Sequence, residues 1–254
     1  MDVKKVERCP TGISGLDELL EGGLPRGRVI LIAGDCGTGK SILATEFLVN
    51  GALKYNEPGI YVSLEQSPIH LKEDMASMGF NLDDLEKEKK LVIIDASLSG
   101  MAFSQPKKNE FILSPEQFSI DSITALIKEA ADKIKAKRAV VDSFSALDTL
   151  IESKKTKVGL ALKEDVRRSA LEINYNLQAM GLTSILISDV PDDRHLSKHG
   201  VEEFMVDGVI TLHYSNVGPD AGRHMTIKKM RTTKHSENIH TIEFRPGEGI
   251  RIRS

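Results

Sequence analysis

Residues 28–41 read RVILIAGDCGTGKS. The run RVILIA (28–33) is short, apolar and rich in branched side chains, the signature of a buried strand. Glycines 34, 37 and 39 follow at once, and then come Lys40 and Ser41. Clustered glycine is costly in regular structure, so it marks a backbone that something must approach closely. Beyond it, Ile42, Leu43, Phe47 and Leu48 fall at helical spacing on one apolar face. The stretch therefore reads as strand, tight loop, helix.

The loop satisfies the pattern G-x-x-x-x-G-K-[ST] through Gly34, Gly39, Lys40 and Ser41, in the strand-to-helix setting that the pattern requires. In that setting backbone N–H groups and a helix N-terminus converge on one point and form an anion nest. The expected ligands are ATP and ADP with Mg²⁺. Gly34, Cys36, Gly37, Thr38, Gly39, Lys40, Ser41 and Ile42 make up the candidate cradle. Gly37 and Gly39 leave room for phosphate oxygens, Lys40 places a charge near the β- and γ-phosphates, and the Ser41 hydroxyl ligates the metal. Cys36 reads as a small residue that suits a tight loop, or as a thiol acidified by the helix N-terminus that could act as a redox brake.

Four further short apolar runs follow: GIYVSL (59–64), LVIIDA (91–96), RAVVDS (138–143) and TSILIS (183–188). Helices separate them. Ser67-Pro68 opens one that runs to about Met78, a second covers roughly 118–134, and a long one over 160–180 ends at Gly181. Residues 97–117, with Gly100, Pro106 and Pro115, read as a long surface loop. After residue 188 the segments VDGVITLHY, RHMTIKKMR, NIHTIEFRP and GIRIRS suggest antiparallel strands. Alternating units imply an α/β fold, with a mostly parallel central sheet, helices on both faces and a C-terminal antiparallel β extension. At 254 residues, one domain spanning 1–254 is the simplest reading.

Hydrolysis needs acids beyond the loop. Asp142, which ends the apolar strand AVVDS, is the candidate that holds the Mg²⁺ shell, through water. Glu65 closes the strand YVSLE, expected beside the loop-bearing strand, and is the candidate that polarises the attacking water. Each has a plainer alternative as a strand-end carboxylate facing solvent. Ser188 and Asp189 end another strand and invite the same two readings.

Bulk composition narrows the class. A formal net charge of −3 supplies no global drive toward nucleic acid, and 5% aromatics with no Trp leaves little for base stacking. The two cysteines, Cys9 and Cys36, form neither a metal-spaced set nor a disulfide framework. The N-terminus lacks the apolar core of a signal peptide, and no apolar run approaches the roughly 20 residues that cross a bilayer. The expectation is a cytoplasmic protein with no membrane insertion.

TGISGLDELLEGGLPRGRVILIAG, GDCGTGKS, YVSLEQ, RAVVDSFSAL, VEEFMVDGVITLHY and KKMRTTKH together resemble, in that order, the RecA-superfamily ATPase domain of the KaiC family. The resemblance covers nearly the whole chain and is to a single-domain KaiC-like protein of the type common in archaea. It implies a RecA-like P-loop NTPase fold, slow ATP hydrolysis, and ATP bound between subunits of a homo-oligomeric ring, usually a hexamer. It also implies that Lys229 and Arg231 act on the nucleotide of the neighbouring subunit, and that Met230, Thr233, His235 and Ser97 line the nucleotide. Two positions depart from the family pattern. Gln66 replaces the second of two adjacent glutamates, and Thr232 stands where the family has Gly. Glu203 and Phe204 occupy the places of a Ser-Thr pair that is phosphorylated in one domain of the clock protein, so no autokinase activity is expected there.

Two other readings stay open. Gln66 suits an ATP-gated signalling or assembly module with little turnover. The loop PDDRHLSKHG (191–200) suits a recombinase-paralogue binder of single-stranded DNA, although its two aspartates favour an ordinary solvated loop. The sequence names no protein partner.

Overall fold

The structure is a computed structural model that describes residues 6–97, 111, 119–146, 160–190, 195–215 and 221–253, with the backbone alone at 160–163. Most of the loop expected over 97–117 and the start of the one over 191–200 lie outside the described residues.

The opening strand is β3 (Val29–Gly34), and its helix is α1 (Lys40–Lys54). Every residue of β3 is buried. Ile30 and Ile32 enter one hydrophobic core, and Val29, Leu31 and Ala33 enter another on the opposite face. This is the period-two alternation of a strand covered on both sides, which is why β3 contains no polar side chain. β4 (Gly59–Ser63), β5 (Leu91–Asp95), β6 (Arg138–Asp142) and β7 (Thr183–Asp189) match the other four apolar runs. β8 (Gly208–Ser215), β9 (Gly222–Met230), β10 (His240–Arg245) and β11 (Gly249–Arg253) form the expected extension.

These strands build one nine-stranded sheet in the order β11-β10-β9-β8-β3-β7-β6-β4-β5. From β8 to β5 all neighbours are parallel, and β8-β9, β9-β10 and β10-β11 are antiparallel. The expectation that β4 lies beside β3 is corrected here: β7 and β6 stand between them. Helix α1 packs against β7, β6 and β4, so the first crossover carries the chain past the positions of β7 and β6 to that of β4.

Among the helices, α2 (Pro68–Ser77) starts as read, with Pro68 in its first turn and the Ser67 hydroxyl accepting from the His70 amide. α4 (Ile120–Ile134) and α5 (Leu160–Ala179) fill the other expected places, and Gly181 at φ 71° ends the latter's turn. Between α2 and β5 lies α3 (Leu82–Lys87), capped by Asn81, and a four-residue helix α6 (Glu202–Met205) precedes β8. The lead-in forms a small ladder, β1 (Arg8–Cys9) with β2 (Leu24–Pro25). Arg138 ties this lead-in to the core. Fully buried, it donates to the carbonyls of Phe47 and Pro10 at 2.8 Å each and pairs with Glu57 at 2.6 Å. A buried guanidinium survives here because each of its three nitrogens has an acceptor, one of them a carboxylate.

Candidate functional site

β3 delivers the loop to the C-terminal edge of the parallel strands, where ligands of open α/β sheets bind. Gly34 passes so close to the Leu212 carbonyl that a Cβ there would sit 2.3 Å from the oxygen. Gly39, at φ 98°, caps α1 in the left-handed region, and a Cβ there would lie 2.1 Å from Cζ of Phe244. Thr38 is buried and its hydroxyl donates to the Asp35 carbonyl at 2.8 Å, so it braces the loop from within. Cys36 is exposed and lines the cavity as a free thiol.

That cavity holds about 440 Å³ and is lined by Gly37, Gly39, Lys40, Ser41 and Ile42 from the loop and helix, by Glu65 and Gln66 after β4, and by Asp142 and Ser143 after β6. Lys40 is 8% exposed, and its Nζ donates to the carbonyls of Gly34 and Asp35 at 2.8 Å each and pairs with Asp189 at 3.0 Å. Asp142 accepts from the Tyr61 hydroxyl. Burial raises its carboxyl above the usual range, while hydrogen bonds from Tyr61 and Ser41 pull it down. Burial also raises Glu65, with its hydrogen bond from Ser143 acting the other way and the charges of Asp189 and Asp142 reinforcing the rise. Lys40 and Ser41 of the loop thus face one space with Asp142 and Glu65, acids read from two other strands.

The donor set fits the nucleotide and metal expected of it. Four carboxylates (Glu65, Asp74, Asp142 and Asp189) line the cavity against the two cations Lys40 and Arg223, which disfavours a bare polyphosphate and favours its Mg²⁺ complex, since a divalent cation reverses the local charge balance. Ser41 and Asp142, already in contact, are the oxygen pair that would hold the ion.

The sequence missed several lining residues. Met75, Ser77 and Met78 come from the end of α2, Arg223 from β9 and Phe244 from β10. Arg223 donates from Nε to the Gly37 carbonyl at 3.1 Å, and its guanidinium lies 4.7 Å from the Phe244 ring and 5.3 Å from that of Tyr214. Only the pairing of β8, β9 and β10 brings these residues to the loop, and no local motif announces that pairing.

The remaining expected residues lie elsewhere. Ser97 is fully buried at the end of β5, where its amide and hydroxyl bond to Asp95 at 3.1 and 2.7 Å, outside the cavity; Ser77 occupies the wall instead. Met230 is a core residue, 4% exposed, packed over Gly208. Thr233 accepts from Arg8, and His235 contacts the Ser236 carbonyl, both beyond the end of β9. Lys229, on β9, and Arg231, one residue past its end, do come together, since the charge of Arg231 acts on the Lys229 ammonium. A bulge sets Val209 opposite Lys229 and Ile210 opposite Ile227, leaving Lys228 as the extra residue. Lys229 then bonds the carbonyls of Val206 and Glu203, and the Arg231 amide bonds that of Asp207. Burial lowers the Lys229 ammonium, with Arg231 adding to the effect. Thr232 adopts φ 58°, the left-handed shape that a glycine takes freely.

Residues 195–200 are not a plain solvated loop. Ser197 is buried and bonded to Glu202, and Lys198 donates to the Ser145 carbonyl at 3.1 Å. No described helix is long and apolar enough to cross a membrane.

Comparison with known proteins agrees with this geometry. Residues 9–254 match the family model described as ATPase, KaiC. A UPF0273 protein of Aeropyrum pernix is 36% identical over 240 residues, covering 94% of this chain and 91% of its own length. Circadian clock protein KaiC2 of Synechocystis is 33% identical over 91% of this chain, which spans 37% of that longer protein. The crystal structure of a KaiC-like protein from Pyrococcus horikoshii superposes with a TM-score of 0.80 at 33% identity, covering 98% of this chain and all of that one.

Proposed function

Because the chain belongs to the KaiC family of ATPases, we propose that it binds Mg-ATP on the Gly34–Ser41 loop and hydrolyses it slowly. It acts as a single KaiC-like RecA-type domain, 1–254, in a homo-oligomeric ring of about six subunits formed in the cytoplasm with nucleotide bound, and its role is regulatory. The observation that carries this reading is the convergence of Lys40, Ser41, Asp142 and Glu65 on one cavity.

In this mechanism Lys40 exchanges its present acceptors for phosphate oxygens and offsets their charge. Ser41 and Asp142 hold Mg²⁺, which when bound neutralises charge on the β- and γ-phosphates. Glu65, steadied by the Ser143 hydroxyl, orients a water and accepts its proton; a carboxyl raised by burial is suited to that task near neutral pH. ATP and water yield ADP and phosphate. Lys229 and Arg231 complete the site of the adjacent subunit. In support, Lys229 lies level with Leu31 across Val209, well back from the loop end of the sheet.

Phosphate release at saturating Mg-ATP tests the reading. Glu65→Gln should fall about 100-fold or more below wild type, the usual scale for a lost general base. Equal rates would remove Glu65 from the chemistry.

One feature favours a second reading, an ATP-gated assembly module with little turnover. Gln66, which cannot serve as a base, lines the cavity beside Glu65. Sizing with Mg-ATP and with Mg-ADP separates the two readings: a switch in oligomer together with negligible phosphate release favours the module.

A further inference from the structure

An ammonium has three protons to donate. Those of Lys40 are committed to three acceptors: the Gly34 carbonyl at 2.8 Å, the Asp35 carbonyl at 2.8 Å and the Asp189 carboxylate at 3.0 Å. Two of these acceptors are fixed parts of the loop backbone. The third is a side chain, 45% exposed, that can swing aside. Its placement is built into the sheet. Asp189 ends β7 directly opposite Gly34 in the β3–β7 ladder, and its amide donates to the Ser145 hydroxyl at 2.8 Å. The carboxylate also adds to the field felt by Glu65 and Asp142. Ion-pair distance, strand register and the backbone anchor all bring one anion to the lysine that a phosphate must engage.

We propose that Asp189 is an internal surrogate for the terminal phosphate, competing for Lys40 and thereby lowering the preference of the site for nucleoside triphosphate over diphosphate. The proposal rests on the nucleotide reading above. A diphosphate leaves the outer position to the carboxylate, so the Lys40–Asp189 pair survives its binding. A triphosphate must expel the carboxylate from Lys40 and then lie beside it, with like charges close together. The penalty therefore falls on the triphosphate. Asp189 is a specificity-determining residue in this account and takes no part in bond making.

The test is calorimetric titration of the wild-type chain, Asp189→Asn and Asp189→Ser with Mg²⁺ and either a non-hydrolysable ATP analogue or ADP. Both substitutions remove the charge at a half-exposed site, and the second guards against an amide that mimics the original contact. The expected result is an affinity for the analogue raised about fivefold, the upper scale of one half-exposed charge contact, with that for ADP changed by less than about twofold. Equal tightening of both nucleotides, a shift that favours ADP, or weaker binding of the analogue would each overturn the proposal while leaving nucleotide binding intact. Uptake of neither nucleotide by the wild-type chain would overturn both.

Discussion

Arg223 and Lys229 stand six residues apart on β9 and serve opposite ends of the sheet. Arg223 donates to the Gly37 carbonyl at 3.1 Å, and Lys229 donates to the Val206 carbonyl at 2.8 Å. At about 3.4 Å per residue they are separated by about 20 Å along the strand, beyond the reach of a lysine side chain. One strand thus presents a cation to its own loop at one end and a pair of cations away from it at the other.

Complementation between variants follows from that separation. Lys40→Ala and Lys229→Ala should each release phosphate at least about 100-fold more slowly than wild type. Mixed in equal amounts, dissociated and reassembled, they should recover a measurable share of wild-type turnover, because some contacts then join an intact loop to an intact Lys229. A mixture no faster than its parts would place Lys229 outside the neighbour's chemistry.

Arg223 holds the loop through its stack on Phe244 and its bond to Gly37. Arg223→Ala should weaken Mg-ADP binding by about tenfold, on the order of one charge-assisted hydrogen bond. The melting temperature should change little, because the side chain packs at the surface. Titration calorimetry alongside thermal unfolding checks both halves of this expectation.

Glu46 introduces a dependence on pH. It is 3% exposed on α1, accepts from the Ile250 amide at 2.7 Å, and burial pushes its carboxyl up to about 7, against hydrogen bonds from Ile250 and Asn50. Between the ordinary value of 4.5 and 7 the folded chain binds more protons than the unfolded chain, so this group's contribution to stability is greatest at low pH and falls as pH rises through that window. Glu46→Gln should flatten the loss and stabilise the protein by up to about 3 kcal/mol at pH 8, relative to wild type. Urea unfolding of both proteins at pH 5 and pH 8 measures it; parallel pH profiles would refute the assignment.

Thr232 carries a branched side chain at φ 58°, where non-glycine residues are strained. Thr232→Gly should raise stability by up to about 1 kcal/mol, the relief of strain exceeding the added freedom of the unfolded chain. A loss of that size on thermal unfolding would show that the hydroxyl's bond to the Arg231 carbonyl outweighs the strain.

What the sequence made legible was local. The loop from Gly34 to Ser41, the helix opened by Ser67-Pro68 and the five apolar strands all carry their signals within a few residues. The acids Asp142 and Glu65 were legible because each ends an apolar strand, and parallel strands deliver such ends to one edge. Phe244, Arg223 and Ser77 were not, since their places depend on pairing across the sheet and on the packing of α2, which no short window encodes. Ser97, which only the resemblance places at the nucleotide, bonds through its hydroxyl to Asp95. Strand order was the other weak point. A sequence of alternating units fixes direction and layering, whereas the number of positions that α1 crosses is decided by how it packs.

The contact between Phe244 and Gly39 has a consequence for synthesis on the ribosome. The glycine loop is translated early, but the ring that rests on it, the Ile250 amide that holds Glu46 and the Ile252 amide that bonds the Ser14 carbonyl at 2.8 Å all come from residues 240–253. A nascent chain that has not yet extruded those residues carries the complete phosphate motif without the hairpin that braces it. On the proposed reading, a chain cut before residue 240 should therefore bind nucleotide more weakly although the whole motif remains.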